Sequence, residues 1–126
     1  MNKEEREQTM PKLNQDAVSL LTRDVINRLV EECHECAVKH GFWDHKGSDV
    51  LNTVEKVALI HSEVSELLEE LRKTEMNKDA VAEELADICI RVFDLVGYFS
   101  SIDLGVALLS KMSKNKARPY KHGKRF

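Results

Sequence analysis

The stretch 57–72, VALIHSEVSELLEELR, decides how this chain folds. Val57, Ile60, Val64, Leu67, Leu68 and Leu71 recur at three- and four-residue intervals. That spacing gathers them along one side of an α-helix, and no stretch of the chain sustains the period-two alternation of a strand. Working outward, Ser48 or Asp49 can cap this helix, which is expected from Asp49 to Lys73, roughly 37 Å at ~1.5 Å per residue. Upstream, GFWDHKGSD breaks the pattern with Gly41 and Gly47. Before it, Leu21, Val25, Leu29, Cys33 and Ala37 recur every four residues and predict a helix from Asp16 to His40. Downstream, TEMNKD is a polar connection in which Asn77 or Asp79 can cap a third helix from Asp79 to Ser100. Leu85, Ile88, Val92, Val96 and Phe99 line one side of it. After the turn SSID a fourth helix is expected from Asp103 to Lys116. Residues 1–12 read as a polar extension and 117–126 as an irregular basic tail. Pro11 and Pro119 bracket a proline-free interior, as long helices require. The expected fold is therefore all-α, a four-helix bundle in a single domain spanning residues 1–126.

Composition narrows the function. Of the 126 residues 33% are charged, against a usual share of about 25%, and 6% are aromatic. With 19 Lys+Arg against 22 Asp+Glu the net charge is −3, which does not favour a dedicated nucleic-acid binder. No apolar run approaches the ~18 residues of a membrane span. The opening MNKEEREQTM lacks the apolar core of a signal peptide, so a cytoplasmic location is expected. Three cysteines are too few for a disulfide framework and fit a reducing compartment. Long apolar-striped helices in so small a chain leave surface to cover, so a homodimer or homotetramer is expected.

The chemistry concentrates in two acidic pairs. Glu63 and Glu66 are three residues apart in HSEVSELLEE, and Glu84 and Asp87 are three apart in EELADICIR. Side chains at i and i+3 are neighbours on a helix. If the two helices pack antiparallel, all four carboxylates can converge at one level. Unpaired carboxylates near a core repel one another, and a divalent cation between them relieves the repulsion. Oxygen ligands suit a hard ion: Mg²⁺, or Mn²⁺ as a substitute. The plain alternative is that all four are solvated helix charges.

Charge is also segregated along the chain. From Lys111 to Phe126 there are seven Lys/Arg and no acid, whereas Glu55 to Asp94 holds eleven acids against five Lys/Arg. A metal site with a basic terminus suits a polyphosphate, the metal bridging phosphate oxygens and the basic side chains holding the remaining charge. Trp43, the single tryptophan, follows Phe42 in the glycine-flanked loop. Its indole can stack on a base or plug the end of the bundle.

Taken together these residues resemble the all-α nucleoside triphosphate pyrophosphatases of the MazG-like superfamily. The resemblance lies in Glu63-x-x-Glu66 followed by Glu84-x-x-Asp87, in the segment CHECAVKHGFWD, and in the ending KMSKNKARPYKHGKRF. It implies hydrolysis of a nucleoside triphosphate between the α and β phosphates, with nucleotide-pool sanitising as the role. It implies Mg²⁺ held by Glu63, Glu66, Glu84 and Asp87, with Glu63 or Glu66 accepting the proton of the attacking water. It implies phosphate contacts from Lys111, Asn115, Arg118 and Tyr120. His34 and Trp43, nine residues apart, are similar in spacing to the His and Trp that contact the base in deoxycytidine-triphosphatase relatives. Where many relatives carry a further Glu just before the first pair, this chain has Ser62.

Other motifs point elsewhere. Cys33-x-x-Cys36 lies within a helix, without the strand and helix N-terminus of a redox motif or a second pair to complete a zinc site. Glu31-x-x-His34 matches half of a di-iron bundle motif, but His61 has Ala58 where the second Glu belongs. His61 reads as a surface or interface residue, and His122 as part of the solvated tail. A different class of reading is a non-enzymatic helical dimerisation module whose charges serve solubility and partner binding.

Overall fold

The computed structural model describes residues 15–44 and 47–125; the polar extension expected over 1–12 lies outside the described residues. Among the described residues there are four α-helices: α1 Gln15–Lys39, α2 Asp49–Arg72, α3 Lys78–Tyr98 and α4 Leu104–Lys116. A short turn of 3-10 type covers Tyr120–Gly123. Among the described residues there is no strand, so the all-α class holds and is compatible with a helical bundle.

The helix ends follow from local chemistry. Gly41, at φ +83°, closes α1: Phe42 N–H donates to Ala37 O and Gly41 N–H to Val38 O, each at 3.1 Å. This is a Schellman closure, in which a left-handed glycine satisfies the last carbonyls. Ser48 caps α2, its hydroxyl accepting from Leu51 N–H at 3.3 Å, and Asp49 falls in the first turn, where its charge favours the helix dipole. Asn77 caps α3, its Oδ1 accepting from Asp79 N–H at 3.0 Å and Ala80 N–H at 3.2 Å.

Tertiary contacts divide the chain into two compact units, one of residues Asn27–Asp103 and one of the chain ends, up to Ile26 and from Leu104. In the first, α2 and α3 form the dominant helix pair, joined through residues 73–77. So short a connection makes them antiparallel neighbours. The second half of α1 lies against α3 at His34 and Gly97. A Cβ at Gly97 would stand 2.3 Å from His34 Cβ, so only glycine permits this approach. In the second unit, a Cβ at Gly105 of α4 would stand 2.6 Å from the Arg23 carbonyl oxygen of α1. Beyond α4, Lys121 and His122 both have positive φ, 51° and 53°, making a left-handed turn before Gly123.

The interior departs from the sequence expectation. Ile60 and Leu67 of the α2 stripe are half-buried, but Val57, Val64, Leu68 and Leu71 are 44, 46, 55 and 50% exposed. The face of α2 that is covered instead carries Asn52, Lys56 and Glu63, all buried. The periodicity locates the apolar side of α2, but the covered side is the neighbouring one, where Lys56 is held by Phe42 O and Glu63 by Arg91 of α3.

Candidate functional site

Because α2 and α3 run antiparallel, the two acidic pairs meet at one level of the hairpin. Ligand oxygens of Glu63, Glu84 and Asp87 lie within 4.8 Å of one another, and among the described residues this is the one group of three such metal-competent side chains. Glu66 joins it through a hydrogen bond with Glu63. Its interaction with Glu63 is the first influence that holds the Glu66 carboxyl above the usual carboxylate range. The negative charge of Glu63, desolvation, and the charges of Glu84 and Asp87 push in the same direction. Glu66 thus responds to all three other acids.

Two further features define the cluster. Glu84 Oε2 is buried with no hydrogen-bond partner, an uncommon condition for a carboxylate oxygen. Arg91, one helical turn beyond Asp87, donates from Nε to Glu63 Oε1 at 2.9 Å, and its guanidinium lies 5.3 Å from the centre of the Phe42 ring. Arg91 is a site residue that spacing did not single out. Its signal was its place four residues after Asp87 on the same helix face.

These groups open onto a cleft of about 640 Å³ lined by Cys33, His40, Phe42, Glu63, Glu66, Asp87 and Arg91. Burial pushes the Cys33 thiol up, with the Asp94 charge next in effect, which disfavours the thiolate that ligation or redox exchange needs. His40 is turned onto its own helix, its Nδ1 2.8 Å from Cys36 O.

A second polar cluster reaches the same cleft through Asp94. Asp94, 3% exposed, accepts on Oδ1 from Trp43 Nε1 at 2.8 Å and contacts His34 Nδ1 at 2.9 Å. Trp43 stacks on Tyr98, ring centres 4.9 Å apart and planes 2° apart, and meets His34 edge-on at 5.2 Å. Lys56, 2% exposed, donates to Phe42 O and lies 4.8 Å from the Trp43 ring centre. His34 and Trp43, the expected base contacts, are therefore brought together, and much of their polar capacity is used on Asp94. His34 also lines a separate cleft of about 490 Å³ with Val30, Gly97, Phe99, Ser101 and Asp103. Glu31 borders that cleft too, but no second Glu-x-x-His accompanies the Glu31/His34 pair in a metal-competent group among the described residues.

The expected phosphate contacts belong to the other unit. Lys111 and Asn115 lie on α4 and Arg118 and Tyr120 follow it, all exposed, Tyr120 by 88%. Arg118 Nη1 donates to His122 Nδ1 at 2.9 Å, a bond made possible by the left-handed turn. No helix of the described residues is long and apolar enough to cross a membrane. Compared with family models, curated proteins and solved structures, the chain matches none.

Proposed function

We propose that this chain is a Mg²⁺-dependent nucleoside triphosphate pyrophosphohydrolase that releases a nucleoside monophosphate and pyrophosphate. The observation that carries the reading is the orphaned Glu84 Oε2 inside a group of four interacting carboxylates. A buried carboxylate oxygen without a donor, beside two other acids, is costly unless a cation completes it. The all-oxygen donor set fits a hard ion, and Glu63, Glu66, Glu84 and Asp87 are the residues that would hold it.

When bound, Mg²⁺ supplies charge neutralisation to the phosphates and a lowered pKa to a coordinated water. The chain's own groups do the rest. Glu66, whose carboxyl its acidic neighbours hold above the usual carboxylate range, is a stronger base when ionised and so is suited to orient a water and accept its proton. Arg91, held at the cleft by Glu63 and Phe42, supplies a positive charge that can follow the phosphate oxygens. Lys111, Asn115, Arg118 and Tyr120 are the proposed holders of the phosphate chain, and His34 and Trp43 the proposed contacts to the base.

The test is pyrophosphate release over a panel of ribo- and deoxynucleoside triphosphates with Mg²⁺. Glu66→Gln and Asp87→Asn are expected to lose activity by at least about a hundredfold, with helicity unchanged by circular dichroism. Full activity in both variants would overturn the site.

The exposed apolar face of α2 favours a second reading, a helical module that assembles without catalysis. Thermal melting separates the two, since a ligand of the native state raises the midpoint. No rise with Mg²⁺ and a non-hydrolysable triphosphate at millimolar concentration would favour the module.

A further inference from the structure

Arg91 is the one lysine or arginine lining the carboxylate cleft. Its Nε donates to Glu63 Oε1 at 2.9 Å, with both side chains largely covered. The same guanidinium lies over the Phe42 ring, 5.3 Å from its centre. Arginine carries five N–H donors. One serves Glu63, and among the described residues the others meet no hydrogen-bond acceptor. Glu66 is hydrogen-bonded to Glu63, and oxygens of Glu84 and Asp87 lie within 4.8 Å of a Glu63 oxygen. Arg91 is therefore the resident counter-charge of four acids.

That arrangement sets Arg91 against a cation. A divalent ion seated among Glu63, Glu84 and Asp87 would compete for a carboxylate that Arg91 already holds. It would also stand near a fixed positive charge in a half-covered cleft, where salt screens poorly. Arginine keeps its charge at every ordinary pH, so it cannot give way by losing a proton. It can give way by turning. The Phe42 ring keeps the guanidinium at the cleft once Glu63 is released. A polyphosphate, whose oxygens match the planar fork of donors, gives it somewhere to turn. An isolated cation gives it nothing.

We propose that Arg91 is an exchangeable counter-charge: it holds Glu63 until a polyphosphate arrives, then passes to the phosphate oxygens and leaves Glu63 to the metal. Metal and polyphosphate then bind better together than apart, and the coupling is reciprocal. The inference rests on the metal-site reading above and adds the order in which the site assembles.

Two binding measurements on the full chain test it. Binding of Mn²⁺ alone is read as loss of the free-ion signal in electron paramagnetic resonance. Binding of a non-hydrolysable triphosphate in saturating Mg²⁺ is read by calorimetry. Arg91→Met keeps an apolar stem beside Phe42 and removes the charge. It is expected to bind Mn²⁺ at least about tenfold more tightly than the wild type. It is expected to bind the triphosphate at least about tenfold more weakly. A damaged fold would weaken both, so the opposite signs are the signature. Arg91→Gln, which keeps a hydrogen-bond donor without the charge, is expected to follow Arg91→Met in both measurements. Arg91→Lys, which keeps the charge, is expected to stay within about threefold of the wild type for Mn²⁺. Equal Mn²⁺ affinity in the wild type, Arg91→Met and Arg91→Gln would overturn the proposal and leave the metal site standing. So would a triphosphate affinity unchanged in both uncharged variants, or Mn²⁺ held as tightly by Arg91→Lys as by Arg91→Met. No Mn²⁺ bound by any of these proteins at millimolar concentration would overturn the metal-site reading, and the proposal with it.

Discussion

Two polar sites stand two to three turns apart on α3, and their acids are treated oppositely. Asp94 is almost fully buried and satisfied, with the Trp43 indole N–H and the His34 ring on one oxygen and no other acid sharing those contacts. Two turns earlier, Glu84 and Asp87 face Glu63 and Glu66 with one guanidinium among them and one oxygen left without a donor. The first arrangement is what a fold uses to hold its parts together. The second costs stability and is kept where a ligand relieves it.

Breaking the satisfied cluster should have the largest effect on folding. Asp94→Ala strands two buried or half-buried donors and is expected to cost about 2–4 kcal/mol, measured by urea denaturation. It should do so equally with and without Mg²⁺. Gly97→Ala, which places a methyl 2.3 Å from His34 Cβ, is expected to cost about 1–3 kcal/mol by forcing α1 and α3 apart. The strained cluster should respond with the opposite sign. Glu84→Gln replaces the orphaned oxygen with a group that can donate to its acidic neighbours. The metal-free protein is expected to gain about 1 kcal/mol, and the rise in melting midpoint with Mg²⁺ to be lost. A Glu84→Gln variant that is less stable without metal would place the acids with Asp94, as architecture.

The smallest effect is in pH. The folded Glu66 carboxyl sits above its usual value, so the folded state holds a proton longer than the unfolded chain. Its contribution is complete below the usual glutamate range and is lost as pH rises through the raised folded value. Metal-free wild type should therefore gain stability on acidification from neutral pH relative to Glu66→Gln. Equal pH profiles for the two would show that the Glu66 carboxyl is not raised in the folded state.

Much of this was legible in the sequence, and the limits are instructive. Helix boundaries were written in Gly41, Ser48 and Asn77, because caps and left-handed closures act between near neighbours. The i, i+3 acids could be placed on two helices for the same reason. Asp94 could not be found that way, since its partners are 60 and 51 residues away and only the packing of α1 on α3 brings them together. Nor could the exposure of α2. Spacing shows that Val57, Val64, Leu68 and Leu71 share a side but not which surface that side meets.

The absence of a side chain at Gly97 has a mechanical consequence. With nothing between the two backbones there, α3 cannot slide along α1 by one residue without driving a larger group into His34. A movement of α3 that keeps this contact is a swivel about it. The acids lie about ten to thirteen residues away, roughly 15–20 Å along the helix, so a few degrees of tilt at position 97 would become an ångström of travel where the phosphates are proposed to bind.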